Sequence, residues 1–223
     1  MKSIVLAGNG TTAEILYEYV KQDSRYNVVA VIADDEYVKD QNFLDVPCLK
    51  LSALECHYHN SDVAVVIAMG YDDLNRSRQS MFDRIKHIGY KIETYIHPDA
   101  KVYTSNQIGE GSVVLPGAVL EPYSKLGKNS MIWCNSTVAH HADIGDHCWL
   151  ASGCVISGSA VVGDNTFIGV NSTIVNEVEV GKLNLVGAGA LISKCTKANT
   201  VHLSRSGEQF RFSAEEYIKF FGV

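Results

Sequence analysis

Apolar and polar positions follow two different rhythms along the chain, and the change falls near residue 97. Before it, short apolar runs alternate with segments of helical spacing. Ser3 to Ala7 reads as a strand, followed by Gly8-Asn9-Gly10-Thr11-Thr12-Ala13. Ile15, Leu16, Tyr19 and Val20 then recur as one face of a helix over 13–20. Two further runs, Val28 to Ile32 and Val63 to Met69, are apolar throughout or nearly so, as strands buried on both faces are. They end at Asp34-Asp35 and at Gly70. Leu74 to Ile88 places Met81, Ile85 and Ile88 on one helical stripe, and Lys91 to Ile96 reads as a last strand closed by His97-Pro98. The prediction is a small α/β Rossmann-like domain over 1–97, with about four parallel strands covered by helices.

From residue 98 to 199 the period becomes six. Val102, Ile108, Val114, Leu120, Leu126, Ile132, Val138, Ile144, Leu150, Ile156, Val162, Ile168, Ile174, Val180, Val186 and Ile192 are all Ile, Leu or Val. Every third member (Ile108, Leu126, Ile144, Val162, Val180) is followed by glycine, so the unit is an eighteen-residue coil of three hexapeptides. Four positions after each aliphatic residue the side chain is mostly small, as at Ser112, Ala118, Ser124, Ser130, Ser136 and Ala142. Three short strands with one aliphatic side chain each pointing inward, separated by tight corners, make a triangular parallel β-helix. The glycines are read as corners that need positive φ. Stacked at about 4.8 Å, five coils give a column of roughly 24 Å. In the tail, 200–223, Ser213 and Glu216 have capping-box spacing, flanked by Phe212 and Tyr217. A short helix over 214–221 is expected there, capping an open end of the column.

Composition narrows the class. Twenty-five acids against nineteen bases give a net charge of −6 over 223 residues, with no Lys/Arg block. General nucleic-acid binding needs clustered cations and is excluded. No apolar run approaches the roughly 20 residues of a membrane span, and the run ending at Ala7 is too short for a secretion signal. The six cysteines are scattered without a C-x-x-C pair and are expected to be reduced. A soluble, cytoplasmic protein is expected.

The candidate chemistry sits at two places. A glycine turn between strand and helix offers backbone N–H groups and a positive helix end to a phosphate. Asp34 or Asp35, at the end of the second strand, can accept from a ribose or base. With only about 97 residues, the front domain lacks the second mononucleotide half that a nicotinamide dinucleotide requires. A single nucleotide attached to a sugar fits. Gly70, Tyr71 and Arg76 stand at the mouth of the same sheet. In the repeat, His140, His141 and His147 are the histidines in the middle of the column. Imidazole suits a general base at neutral pH.

In order along the chain, Gly8-Asn9-Gly10, Asp34-Asp35, Ala68-Met69-Gly70 and Ile96-His97-Pro98-Asp99-Ala100 lead into an unbroken hexapeptide repeat. The chain to about residue 198 resembles the bacterial sugar acetyltransferases of the hexapeptide family, which includes UDP-4-amino-sugar N-acetyltransferases and sialic acid O-acetyltransferases. The resemblance implies a left-handed β-helix, a homotrimer with active sites between subunits, acetyl-CoA as cosubstrate, no metal, and a nucleotide-linked amino sugar as acceptor for bacterial surface glycan synthesis. It places Gly8, Asn9, Gly10, Thr11, Thr12, Asp34, Asp35, Gly70, Tyr71 and Arg76 at the sugar nucleotide. His140 becomes the catalytic base, with His141 and Asp143 beside it. The coenzyme arm is set along Trp149, Ser157, Gly158, Gly169, Gly187 and Ala188. The chain departs from the family at Thr12, where relatives usually carry His, and at His141, where they carry an acid. It departs again at Trp149, another usual His, and at Thr200-Val201-His202-Leu203, which replaces a Gly-x-Pro-Ala-Lys loop.

Three other readings remain open from the sequence. O-acetylation of a sialic acid uses the same machinery on a hydroxyl. A zinc lyase like the γ-type carbonic anhydrases needs three converging histidines, and His140, His141 and His147 lack that spacing. A non-catalytic nucleotide-sugar sensor would explain why Thr12, His141 and Trp149 depart together.

Overall fold

The structure is a computed structural model that describes residues 1–104 and 107–221. Positions 105–106 of the predicted repeat and 222–223 of the predicted tail lie outside the described residues.

The front domain runs β1 (Lys2–Ala7), α1 (Thr11–Lys21), β2 (Tyr26–Ala33), β3 (Asn42–Phe43), β4 (Val46–Lys50), α2 (Leu54–His57), β5 (Ala64–Ile67), α3 (Arg76–His87) and β6 (Lys91–Ile92). Its sheet has the order β3-β4-β2-β1-β5-β6. All pairs are parallel except the antiparallel β3–β4 edge. This edge is what the periodicity missed. Val46–Lys50 carries Pro47, a residue that sheets accept at an edge and that hides a strand from pattern reading.

The strand expected over 91–96 is divided. Lys91–Ile92 completes the front sheet beside β5, whereas Tyr95–Ile96, β7, pairs with Val113–Val114 and is the first rung of the column. The join between the two domains is therefore made within one apolar run.

The column is a left-handed parallel β-helix with three faces. The first stacks seven strands, from β7 to Val201–His202. The second stacks six, from Lys101–Val102 to Leu191–Ile192, and the third four, from Lys125–Leu126 to Glu179–Val180. Up to Ile192 each strand residue pairs with the one eighteen away, as Leu120 with Val138 and Val138 with Ile156; the last rung, Val201–His202, pairs with Leu185–Val186 at a separation of sixteen. From Val114 to Ile192 the sixfold aliphatic series forms one buried cluster inside the prism.

The corner glycines have a different cause from the one predicted. Positive φ falls three residues after each aliphatic position, at Gly111, Gly117, Tyr123, Asn129, Asn135, His141, His147 and onward to Gly189. Gly109, Gly127, Gly145, Gly163 and Gly181 are not in that conformation. There a Cβ would strike the next coil: at Gly109 it would lie 2.4 Å from the carbonyl carbon of Gly127. Their carbonyls accept from the small residues inside the same edge. Ser112 Oγ donates to Gly127 at 2.6 Å and Ser130 Oγ to Gly145 at 2.9 Å.

Outward side chains decide what covers each face. On the first face Tyr95, Val113, Met131, Trp149 and Phe167 recur every eighteen residues, and they share a cluster with Ala13, Leu16, Tyr17 and Val20 of α1. The front domain is packed on that face. In the tail, α4 (Ala214–Phe221) forms with its capping box: Ser213 N–H donates to Glu216 at 2.8 Å, and Glu216 N–H to Ser213 Oγ at 3.2 Å. All of its residues are exposed, and Phe212 stacks on Phe220 rather than Tyr217, so the cover expected over the column's end is not made.

Candidate functional site

At the carboxyl ends of β1, β2 and β5 the chain encloses a pocket of about 290 Å³ lined by Gly8, Asn9, Gly10, Thr11, Thr12, Asp34, Gly70 and others. Seven predicted substrate residues meet there. Gly8, at φ 128°, turns the chain so closely that a Cβ would lie 2.4 Å from Ala68 O. Gly10 precedes α1 with open space on its Cβ side, and no side chain caps the helix. The N–H groups of its first turn, at Thr11 and Thr12, have no partner within the helix and suit an anionic group. Asn9 Nδ2 donates to Tyr37 O at 2.9 Å and ties the turn to the loop after β2.

The other predicted substrate residues are placed differently. Asp35 accepts from Ser52 Oγ at 2.6 Å, outside this pocket. Tyr71 leaves the sheet and packs on Trp149 and Phe167, with ring centroids 5.0 and 4.6 Å away. Arg76 pairs with Asp73 at 3.1 Å, on the surface. Asp34, on the pocket wall, is held from outside it by Arg84 of α3, whose two terminal nitrogens donate at 2.6 and 3.1 Å. Its place on the polar side of a helix gave no separate signal.

Beside this pocket lies a buried polar joint. Asp73, Leu74 and Asn75 are all left-handed, and Asn75 enters the interior. Arg78, 1% exposed, donates to Asn75 Oδ1 at 3.0 Å and to the carbonyls of Asn129, His147 and Cys148 in the column. Burial lowers its pKa to about 10. His147 lies against it, its Nδ1 2.9 Å from Asn129 Nδ2, and burial followed by the Arg78 charge lowers its pKa. Trp149 is 4% exposed among Tyr71, Trp133 and Arg78, which leaves it no surface for a coenzyme.

The second candidate cluster is at the corner between the second and third faces, away from the front domain. His140 and His141 are exposed there, with their Nδ1 atoms 3.2 Å apart. The His140 main-chain N–H donates to Glu121 at 2.8 Å. Its ring lies over Gly158 in the next coil: a Cβ there would be 2.6 Å from Cε1 and 2.8 Å from Nε2. Ser157 shares this corner. Asp143 faces Lys125 at 3.6 Å and is not a hydrogen-bond partner of either imidazole. Gly169, Gly187 and Ala188 lie at the corner between the first and second faces, so one chain alone does not gather the predicted coenzyme residues. His140 and His141 are likewise separated from His147 by a whole face, and no group of three or more His, Cys, Asp or Glu that could hold a metal occurs among the described residues.

Residues 123–158 match the family model described as bacterial transferase hexapeptide, six repeats. The matched segment is two coils of the column. Solved structures similar to the chain include PerB from Caulobacter crescentus in complex with CoA and GDP-perosamine, at 25% identity over 92% of this chain and 95% of that one, with a TM-score of 0.82. The acetyltransferase domain of PglB from Neisseria gonorrhoeae is 23% identical over 92% and 97%, also with a TM-score of 0.82. WeeI from Acinetobacter baumannii is 24% identical over 90% and 96%, with a TM-score of 0.71. No curated protein matches the chain. No helix among the described residues is long and apolar enough to cross a membrane.

Proposed function

We propose that the protein is an acetyl-CoA-dependent N-acetyltransferase that modifies a nucleotide-linked amino sugar, with His140 as general base. The observation that carries this is the exposed imidazole at a corner of the hexapeptide column, seated on a glycine with its Nδ1 already engaged. That arrangement leaves Nε2 to take a proton from an attacking amine. The amine nitrogen bonds to the thioester carbonyl carbon and its proton passes to Nε2. The C–S bond then breaks, and the departing sulfur receives the proton. No metal enters this scheme. The pocket of backbone amides at Gly8–Thr12 and Asp34–Gly70 would hold the sugar nucleotide. The likeness to PerB, solved with CoA and GDP-perosamine, supports this division of labour.

The two halves of the site are on opposite sides of one chain, because the front domain covers the first face and His140 stands on the edge opposite it. A threefold assembly brings one protomer's corner to its partner's first–second corner and pocket, and puts the active sites between subunits. The second face supports this. Beyond Lys101 its outward residues are Val119, Thr137, Val155, Thr173 and Leu191, all uncharged, with Leu191 65% exposed. The third face carries Lys125, Asp143, Val161 and Glu179, three of the four charged, and is the one suited to water. We place the protein in the cytoplasm, where both cosubstrates are made.

The test is a panel of UDP- and GDP-linked 4-amino sugars, with a sialic acid as the hydroxyl acceptor, each incubated with acetyl-CoA and read by mass spectrometry. Transfer to an amine is expected. Transfer to the sialic acid alone would replace N- by O-acetylation, and no binding of acetyl-CoA in a titration would overturn the enzyme reading.

A further inference from the structure

Along the corner that carries His140, the left-handed position of each coil is occupied in turn by Tyr123, His141, Ser159 and Glu177. The rings of Tyr123 and His141 stack, with centroids 4.8 Å apart and 27° between their planes. Held this way, His141 presents its Nδ1 to that of His140 at 3.2 Å, the two rings being nearly perpendicular at 80°. Two facing Nδ1 atoms share one proton: one ring donates and the other accepts. Among the described residues no carboxylate is hydrogen-bonded to either ring. Glu121 accepts from the main chain of His140, Asp143 faces Lys125, and Glu177 lies two coils along the ladder with its N–H on the Gly158 carbonyl.

We propose that His141 is a positioning residue: its Nδ1 accepts the hydrogen bond of the His140 Nδ1–H, holding His140 in the tautomer whose Nε2 is free, and Tyr123 fixes the His141 ring for that task. This rests on His140 being the base. If the shared proton sat on His141, His140 would carry its own on Nε2 and could accept none there. Protonation of His141 has the same effect, because its Nδ1 then turns from acceptor to donor. Both imidazoles must therefore be neutral in the active form. The acid limb of kcat/KM steepens from one proton toward two as the pH falls. A carboxylate in this position, ionised throughout, would give a one-proton limb.

Nitrogen-15 NMR of the wild-type protein near pH ~8 reads the tautomers without any substrate. His140 protonated at Nδ1 and His141 at Nε2 is the expected result; His140 protonated at Nε2 overturns the proposal. Two variants extend the test. Asn occupies the same backbone conformation at 129, 135, 165 and 171, and Leu at 183, so both residues are compatible with position 141. His141→Asn keeps an acceptor that does not titrate. Its kcat, with acetyl-CoA and the amino sugar accepted from the panel above, should stay within about threefold of wild type, and its acid limb should become one-proton. His141→Leu has no acceptor and should lose on the order of 10- to 100-fold in kcat at unchanged KM for acetyl-CoA. Undiminished kcat in His141→Leu, with His140→Ala inactive, overturns the role of His141 and leaves His140 as base. Full activity in His140→Ala overturns both.

Discussion

His141 and His147 stand at the same position of consecutive hexapeptides, with φ of 60° and 58°. Their surroundings are opposite. His141 is exposed on a corner that none of the described residues covers, stacked on Tyr123 and touching His140. His147 is 8% exposed beneath α3, hydrogen-bonded to Asn129, edge-on to Phe82 and beside the Arg78 cation. The repeat sets a residue's backbone; what packs on that edge sets its chemistry. Substitutions at the open corner should thus change turnover without changing stability, and those at the covered corner should do the reverse.

The largest effect is expected at the open corner. His140→Ala removes the proposed base and should lower kcat by about 10²- to 10⁴-fold. Its thermal midpoint should stay close to wild type, since an exposed side chain is lost and no cavity is made. A normal kcat would remove His140 from the mechanism, and a collapsed midpoint would make the corner structural.

At the covered corner the counterpart is Arg78→Leu. The guanidinium there satisfies three column carbonyls and Asn75 Oδ1 in a place water does not reach. Removing it takes the donor from Asn75 Oδ1 and from the Asn129 and His147 carbonyls, while Cys148 O keeps the Met131 N–H at 2.9 Å, at a cost of about 2–3 kcal/mol in unfolding free energy. Burial partly offsets this, because the isolated cation is itself unfavourable there. An unchanged urea midpoint would mean that the apolar stripe on the first face holds the front domain unaided.

Glycine separates the two corners again, on a smaller scale. Gly158→Ala would place a methyl 2.6 Å from His140 Cε1, the movable end of an exposed side chain. The ring should tilt away, with kcat down about tenfold and stability within about 0.5 kcal/mol of wild type. At Gly145 the same methyl meets the main-chain nitrogen of Asp164 at 2.8 Å, and the coils would have to part. If Gly158→Ala kept full kcat, the glycine would serve the coil stack and not the imidazole.

How far the chain could be read before folding follows the same division. The column was legible because one aliphatic position in six is a constraint that each coil must meet alone. The first-face stripe of Tyr95, Val113, Met131, Trp149 and Phe167 was also present at eighteen-residue spacing, but its meaning needs a partner domain. Without one, Trp149 and Tyr71 read as ligand residues, whereas they pack against each other across the domain joint. The glycine turn of the pocket was legible from Gly8 and Gly10, because backbone approach leaves a mark on composition. Arg84 was not, since a long side chain reaching Asp34 from another helix has no local signature. The left-handed corner positions were hidden for a related reason: Gly, Asn, His, Tyr, Ser, Glu and Leu all occupy them, and the stacking of coils, not the residue, imposes the conformation.

The smallest effect is at the covered corner and is read by pH alone. Burial, then the Arg78 charge, lowers the pKa of His147 below its ordinary value of 6.5. Below that ordinary value the unfolded chain takes up a proton at this residue that the folded chain refuses. The unfolded state then binds more protons, so stability rises with pH across this window and is lost as pH falls from about 6.5 toward the folded pKa. His147→Asn removes the titration while keeping a residue that Asn129 and Asn165 show to be compatible with the same backbone conformation. Urea midpoints measured from about pH 7.5 down to about pH 5 should fall further in wild type than in His147→Asn. Parallel curves for the two proteins would mean that the covered corner admits the proton, and what packs over that edge would then set the contacts of His147 and not its charge.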